Sequence, residues 1–122
     1  MKVFIGLFLM VSFGLGFSAC TGHPCKSISI SSDWKPLSMP LGGAAVCQSN
    51  HEKLQMHYKG DVSAVSLKMM KHFEGLGFQR TEQDQVESTF FMKISKDSLA
   101  LSVDVYDWDN GSGVMIKPAK QY

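Results

Sequence analysis

Hydrophobic and polar residues alternate in short segments along much of the chain, and these segments predict its secondary structure. Residues 44–49 and 54–58 are predicted strands, and the second of them is apolar at every other position. The polar residues 50–52 lie between the two segments and favour a turn. The two strands are therefore expected to form a hairpin.

A helix is predicted after this hairpin. Beyond Gly60 the apolar residues stop alternating and recur at intervals of three and four, which is the spacing of one helix face. The residues of this apolar stripe are Val62, Val65, Met69, Phe73 and Leu76. Asp61 precedes them and is expected to cap the first turn through its carboxylate. Gly77 follows them and is expected at the C′ position, where glycine readily ends a helix.

Strands return after the helix. They are predicted at residues 78–82, 86–94, 99–108 and 114–117. The segment 99–108 alternates most regularly, with aliphatic residues on one face and polar or aromatic residues on the other. Lys96-Asp97 and Asn110-Gly111 predict the hairpin turns, and the second dipeptide is among the strongest short turn signals.

The predicted order of elements is ββαβββ, closed by a short last strand. A run of hairpin-connected strands with one helix favours an antiparallel sheet of about four to six strands, with the helix across one face. The expected fold class is therefore α+β, a two-layer sandwich formed by a single domain at residues 41–122.

The start of the chain has the layout of an export signal. One basic residue, Lys2, precedes an apolar run from Val3 to Phe17, which is typical of a secretory signal peptide. Ordinary cleavage after Ala19 would place Phe17 at a position that needs a small residue. A simple secreted protein and a retained anchor helix are alternatives, and the apolar run is at the short limit for a membrane span.

The segment Phe17-Ser18-Ala19-Cys20 resembles a bacterial lipobox. This resemblance implies that residues 1–19 are a signal peptide and that Cys20 becomes the acylated N-terminus of a lipoprotein. Thr21 carries no retention signal, so the resemblance implies a cell-envelope location in the outer membrane, facing the periplasm. Several acyl chains would hold such a protein firmly on the membrane, where a single chain binds only marginally.

Residues 20–40 are predicted to be a lipid-anchored tether, because they are rich in serine and proline and lack regular apolar periodicity. The two remaining cysteines, Cys25 and Cys47, form an even pair in an oxidising compartment and are expected to form a disulfide. It would close a loop of 23 residues, and the chain-entropy estimate of its stabilisation is roughly 3 kcal/mol. A metal site is the alternative for these cysteines, but no Cys and His residues have the paired spacing it requires.

Composition and motifs narrow the possible functions. Without Lys2 the chain carries eleven basic and eleven acidic residues, and no basic cluster that would favour nucleic acid as a partner. The sequence has no nucleophile elbow, metalloprotease motif, phosphate-binding loop or dinucleotide motif. We therefore expect a protein that is not an enzyme and that uses no cofactor.

Two groups of residues are candidates for binding a metal ion. His51 and His57 belong to the first hairpin, and Glu52 could add a carboxylate. The acidic segment Asp107–Asn110 partly resembles a calcium loop, but it lacks the ligands that an EF-hand requires at later positions. The simpler interpretations are scattered surface histidines and an ordinary hairpin turn.

The face of the sheet opposite the helix is the preferred candidate for recognition. The aromatic residues expected there are Trp34, Phe91, Tyr106 and Trp108. Aromatic side chains grouped on one exposed face favour a protein interface or self-association. The alternative is that the segment 20–40 folds over this face and buries them.

The ββα start of the domain, with its Pro/Gly-rich lead-in and a helix followed by Gly77-Phe78, resembles small bacterial lipoproteins of unassigned function. This resemblance implies no activity. We expect a lipid-anchored envelope protein with a non-enzymatic binding or structural role, in which the open sheet face contacts a protein partner. A small-ligand or metal-binding lipoprotein and a toxin-neutralising immunity protein are the alternatives.

Overall fold

The structure, a computed structural model, describes residues 22–119 of the 122-residue chain. The predicted signal peptide 1–19 and the predicted lipidation site Cys20 lie outside the described residues.

The described residues form a six-stranded antiparallel sheet with one main helix. The elements are β1 (Ala45–Ser49), β2 (Leu54–Tyr58), α1 (Val62–Gly75), β3 (Gln79–Val86), β4 (Thr89–Lys96), β5 (Leu99–Trp108) and β6 (Gly111–Pro118), preceded by a 3-10 helix, η1 (Ser32–Leu37). The strands are ordered β1-β2-β6-β5-β4-β3 across the sheet. The predicted α+β architecture, with a helix on one face of an antiparallel sheet, is confirmed.

The helix begins and ends where its sequence signals predict. The Asp61 side chain accepts a hydrogen bond of 2.8 Å from the backbone N–H of Ala64, as an N-cap residue should. Gly77 has a φ of 95°, a left-handed conformation that costs glycine little. The apolar stripe packs mainly over β4, β5 and β6, with Val65, Met69 and Phe73 almost completely buried.

The strands around the hairpin turns differ from the sequence prediction by a few residues. β3 continues to Val86 and β4 begins only at Thr89, because the turn lies at Glu87-Ser88 and Glu87 has a φ of 55°. The predicted strands 78–82 and 86–94 were therefore divided at the wrong position. All eight residues of β3 are exposed, so no apolar alternation marks this edge strand in the sequence.

The other two turns are displaced by one residue from the predicted dipeptides. The β5–β6 turn is formed by Asp109 and Asn110, with φ angles of 48° and 60°, and Gly111 is already in β6. The turn predicted at Lys96-Asp97 lies at Asp97-Ser98. The two successive positive φ angles of Asp109 and Asn110 are what a type I′ hairpin turn requires, and Asp and Asn tolerate that conformation.

The described part of the segment predicted to be a tether is packed against the domain, beginning with His23 and Cys25. The backbone N–H of Ile28 donates to the carbonyl of Val46 at 2.9 Å, so this stretch covers the outer edge of β1. Trp34 and Leu37 of η1 are each only 4 % exposed and belong to the same core as the helix stripe. The physical reason is that α1 packs mainly over β4, β5 and β6, so the apolar face of β1 and β2 requires another cover.

Two hydrogen bonds fix η1 in this place. The indole N–H of Trp34 donates to the carbonyl of Asn50 at 2.6 Å, which ties η1 to the β1–β2 turn. His72 Nε2 lies 2.6 Å from the carbonyl oxygen of Leu37 and donates to it, because a carbonyl can only accept. The second bond joins η1 directly to α1.

Tyr58 is the largest of the fully buried side chains. Its hydroxyl accepts a hydrogen bond of 3.2 Å from the backbone N–H of Leu41 and lies against the sulfur atoms of Met39 and Met56. Burial raises the pKa of Tyr58 to about 12, because the phenolate would have to exist in an apolar core.

We therefore expect Tyr58 to make the fold sensitive to alkali. As the pH rises from 10 towards 12, the unfolded chain loses the phenolic proton while the folded chain keeps it, so the free energy of unfolding decreases. Tyr58→Phe should remove this part of the pH dependence and should cost about 1 kcal/mol at neutral pH, since the Leu41 N–H loses its acceptor.

Urea unfolding followed by far-UV circular dichroism at pH 7 and at several values between pH 9.5 and 11.5 measures both effects. Lysines also titrate in this range, so the difference between the wild type and Tyr58→Phe isolates the phenol. Parallel pH curves for the two proteins would contradict the prediction.

Candidate functional site

The sheet has one face under α1 and η1 and one face without a helix, which we call the open face. The strand register places Phe91, Asp104, Met115 and Gln55 in one row across β4, β5, β6 and β2 on the open face. Phe91 and Met115 thus flank the Asp104 carboxylate on the two neighbouring strands. The helix does not cover this row, and Phe91 is 38 % exposed.

A shallow depression of about 390 Å³ lies over one end of this row. Its lining residues come from β3, β4 and β5: Glu82, Gln83, Asp84, Phe91, Met92, Lys93, Ser102 and Asp104. Three carboxylates and one ammonium group line it, and Lys93 Nζ lies 3.7 Å from Glu82 Oε1. The depression is therefore acidic, with an aromatic ring in its wall.

Asp104 is half-buried in this depression. Burial raises the pKa of its carboxyl above the usual value, while the positive charge of Lys117 and a hydrogen bond with Ser102 act in the opposite direction. Desolvation is the dominant effect, so ionised Asp104 destabilises the isolated domain at neutral pH. A group that reduces stability and faces a depression is a candidate for binding.

Tyr106 occupies the next row of the open face, beside Gly113 on β6. A Cβ atom at Gly113 would collide with the Tyr106 ring, so glycine allows the ring to lie against the sheet. The Tyr106 hydroxyl accepts a hydrogen bond of 2.7 Å from Gln55 Nε2. The ring is thus held in one position before any partner binds.

The structure places three of the four predicted interface residues on the open face. Phe91 is exposed, and Tyr106 and Trp108 are partly buried with ring centroids 6.3 Å apart. Trp34 is not on this face. It is buried on the helix side, because η1 packs beside α1 and not across the open face. The prediction that Trp34 contributes to the interface is therefore corrected.

At one end of the open face, residues from the N-terminal stretch, which comprises residues 22–25, cover β2. The predicted disulfide between Cys25 and Cys47 is present and holds this stretch on β1. His57 is completely buried, and its Nδ1 lies 2.8 Å from Nδ1 of His23. Its Nε2 lies 2.9 Å from the carbonyl oxygen of Trp108.

Sequence reasoning did not bring His23 and His57 together. It placed His57 with His51, which is highly exposed and lies 3.9 Å from Glu52 in the β1–β2 turn. That turn is at the opposite end of β2 from His57. The disulfide was the only sequence signal that could have connected His23 to the neighbourhood of His57, because Cys25 is two residues from His23.

The imidazole pair is surrounded by aromatic and charged groups. The rings of His23 and His57 meet edge to face with centroids 5.0 Å apart, and the Trp108 ring lies 5.5 Å from that of His57. Burial lowers the pKa of His23, and the neighbouring His57 and Lys59 lower it further. His23 is therefore mostly neutral at pH 7.

The acidic segment Asp107–Asn110 is the end of β5 and the following turn. Asp107 and Trp108 are successive strand residues and point to opposite faces of the sheet, so the segment does not wrap around a point as a calcium loop does. Among residues 22–119, no group of three or more His, Cys, Asp or Glu residues is arranged to hold a metal ion.

Comparisons with known proteins give no further information on this site. No protein family matches the chain, and neither any curated protein nor any solved structure matches it. Within residues 22–119, no helix has the length and apolarity needed to cross a membrane.

We expect Asp104→Asn to stabilise the isolated domain at neutral pH. The folded-state pKa of Asp104 is raised, so the unfolded chain releases this proton first and stability decreases as the pH rises through the folded-state pKa. The asparagine side chain stays neutral in both states, so the variant does not lose this stability. Below the unfolded-state pKa of 3.8, the two proteins should be equally stable. Urea unfolding at pH 3 and pH 7 makes the comparison, and a variant that is less stable than the wild type at pH 7 would contradict the prediction.

Proposed function

We propose that this chain is a lipid-anchored protein of the bacterial cell envelope that acts without catalysis, by binding a protein partner through its open sheet face. The observation that supports this most is the half-buried Asp104 carboxylate, set between Phe91 and Met115 in an acidic depression that faces solvent.

The chemistry of this depression favours a particular kind of partner. A Lys or Arg side chain that enters it would neutralise Asp104 in a partly desolvated position, where a charge-assisted hydrogen bond is stronger than at a wet surface. Phe91 and Met115 would pack against the apolar part of that side chain and its neighbours. The partner segment is therefore basic at its centre and apolar on both sides.

The open face also supports binding because it is ordered before a partner arrives. Gln55 and Gly113 hold the Tyr106 ring, and the neighbouring strands fix Phe91 and Asp104 in one row. Rigid aromatic groups lose little conformational entropy on association, which favours affinity.

The proposed lipid anchor places the domain close to the membrane. Cys20 precedes Gly22 by only two residues, which span at most about 7 Å. The chain from Gly22 onward is already against the domain, because a Cβ atom at Gly22 would approach the Lys59 side chain to 2.9 Å. The end of the sheet that carries Lys59 then faces the bilayer. The partner is therefore expected to lie at or near the same membrane.

The partner interface can be tested by site-specific photocrosslinking in cells. With benzoylphenylalanine in place of Phe91, we expect a discrete adduct of higher mass in the membrane fraction. The matched control is the same replacement at Leu67, which is 49 % exposed on the helix surface and should give no such adduct.

Charge reversal makes this test specific. Asp104→Lys, introduced into the Phe91 crosslinking protein, should reduce the yield of the adduct by at least about tenfold, which corresponds to 1.4 kcal/mol of binding free energy. An adduct that forms equally from positions 91 and 67, or that persists unchanged with Asp104→Lys, would contradict binding through the open face.

The anchor is tested separately. Cys20→Ser should move the protein from the membrane fraction to the soluble envelope fraction, because acylation requires the thiol, while its thermal unfolding midpoint should match that of the wild-type domain. Cell fractionation and labelling with radioactive palmitate measure the loss of the anchor, and circular dichroism during heating measures the unfolding midpoint. A Cys20→Ser protein that still sediments with membranes would instead support a retained N-terminal helix.

A further inference from the structure

The Tyr106 ring lies against the sheet on one side and is open to solvent on the other. A Cβ atom at Gly113 on β6 would collide with this ring, so the side chain of Tyr106 extends from β5 across β6. Its hydroxyl accepts the hydrogen bond of 2.7 Å from Gln55 Nε2 on β2. Tyr106 is partly buried, because the sheet covers one side of the ring, whereas α1 and η1 pack on the opposite face of the sheet. The ring therefore offers an ordered aromatic surface.

Asp104 lies beside this ring. It comes two residues before Tyr106 on β5, so both side chains project from the same face of the sheet, about 7 Å apart along the strand. Phe91 on β4 and Met115 on β6 are the cross-strand neighbours of Asp104, whose carboxyl is half-buried. A single flat cationic group can therefore contact the carboxylate and the aromatic ring together.

Guanidinium and ammonium groups differ in how they use such a place. The guanidinium of arginine is planar, so it can stack on an aromatic ring while two of its N–H groups donate to one carboxylate. It is also more weakly hydrated than the ammonium group of lysine, and it therefore loses less on entering partly apolar surroundings. The ammonium group is a compact charge that gains less from a neighbouring ring. An aromatic ring beside a half-buried carboxylate thus distinguishes arginine from lysine.

We propose that Asp104 and Tyr106 form a recognition site for an arginine side chain of the protein partner. The Asp104 carboxylate accepts hydrogen bonds from two guanidinium N–H groups, and the Tyr106 ring stacks on the plane of the guanidinium. This inference rests on the proposed binding through the open face and names the side chain that enters it. Tyr106 is then the residue that determines specificity, because Asp104 alone would accept either cation.

A different protein supplies this arginine. Arg80 is the only arginine of the chain, and its Nη2 lies 3.3 Å from Glu74 Oε2 of α1, which packs on the face of the sheet opposite Asp104. A second copy of the chain would have to break this ion pair to place Arg80 at Asp104. Association with an unlike partner costs no such contact.

Three short peptides with blocked ends test the preference. They have the sequence leucine, X, leucine, where X is arginine, lysine or citrulline, which has the shape of arginine without its charge. The protein is the full-length chain in detergent micelles, labelled with ¹³C at its methionine methyl groups, so that Met115 reports binding beside Asp104.

The arginine peptide should bind at least about fivefold more tightly than the lysine peptide, the factor that corresponds to about 1 kcal/mol of stacking on the ring. The citrulline peptide should bind most weakly of the three, because it brings no positive charge to Asp104. Titration of the Met115 methyl signal measures all three affinities under the same conditions.

Three variants assign the preference to the ring. Tyr106→Leu should lower the affinity for the arginine peptide to that for the lysine peptide, and should change the latter by less than about twofold. Tyr106→Phe keeps the ring and should keep the preference. Phe91→Leu is the matched control, because Phe91 flanks Asp104 on the other strand. It should weaken both peptides by a similar factor and leave their ratio unchanged, and thermal unfolding checks that each variant is folded.

Equal affinities of the wild type for the arginine and lysine peptides, or a preference that survives in Tyr106→Leu, would overturn the arginine site. Binding of both peptides beside Asp104 would still agree with the proposed interface, so the two failures are distinguishable. A Met115 signal that no peptide shifts would also overturn the site, and the crosslinking experiment at Phe91 would then decide the proposed function by itself. Mass spectrometry of that crosslinked adduct should find an arginine in the attached partner segment, and a segment without arginine would contradict the site.

Discussion

A single helix cannot cover the apolar face of a sheet of this width. The rest of the structure depends on what covers the part of that face that the helix leaves open. Six strands spaced about 4.8 Å apart extend over roughly 24 Å, whereas a helix with its side chains is about 10 Å across. α1 packs on β4, β5 and β6. The apolar face of β1 and β2 is covered by η1, whose Trp34 and Leu37 complete the core.

The same constraint explains why β3 has no apolar cover. β3 lies at the edge of the sheet and all its residues are exposed, although Arg80 reaches Glu74 and Met70 of α1. Polar and charged side chains on both faces suit such a position and discourage pairing with other chains. At the opposite edge, β1 is covered by the backbone hydrogen bond between Ile28 and Val46. The two edges of the sheet are therefore protected from pairing with other chains in different ways.

The open face combines features that a purely structural surface would not need. Asp104 reduces the stability of the isolated domain because its carboxylate is partly desolvated. The absence of a side chain at Gly113 allows the Tyr106 ring to lie against the sheet. At the end of the same face, His57 is a buried polar residue in a position where an apolar one would pack without a hydrogen-bond requirement. Residues that are not the most stabilising choice for the fold are common where proteins bind their ligands.

Much of the fold follows from local patterns in the sequence. The spacing of Val65, Met69 and Phe73 determines the helix face, and Asp61 and Gly77 determine its ends, because capping is an interaction between residues a few positions apart. Alternation locates β2 and β5 for the same reason, since successive residues of a strand point to opposite faces. The placement of Phe91 and Tyr106 on the open face is also readable from this alternation.

Only the tertiary structure decided the remaining features, because they join residues that are distant in the sequence. The position of Trp34 depended on which strands the helix left uncovered, and no local pattern contains that information. The division between β3 and β4 was hidden because an edge strand that is exposed along its whole length has no apolar face to mark it. His23 and His57 are separated by 34 positions, and they meet because a disulfide and the strand register bring the N-terminal stretch across β2. The sequence determined the elements and their faces, whereas long-range packing determined which side chains share a site.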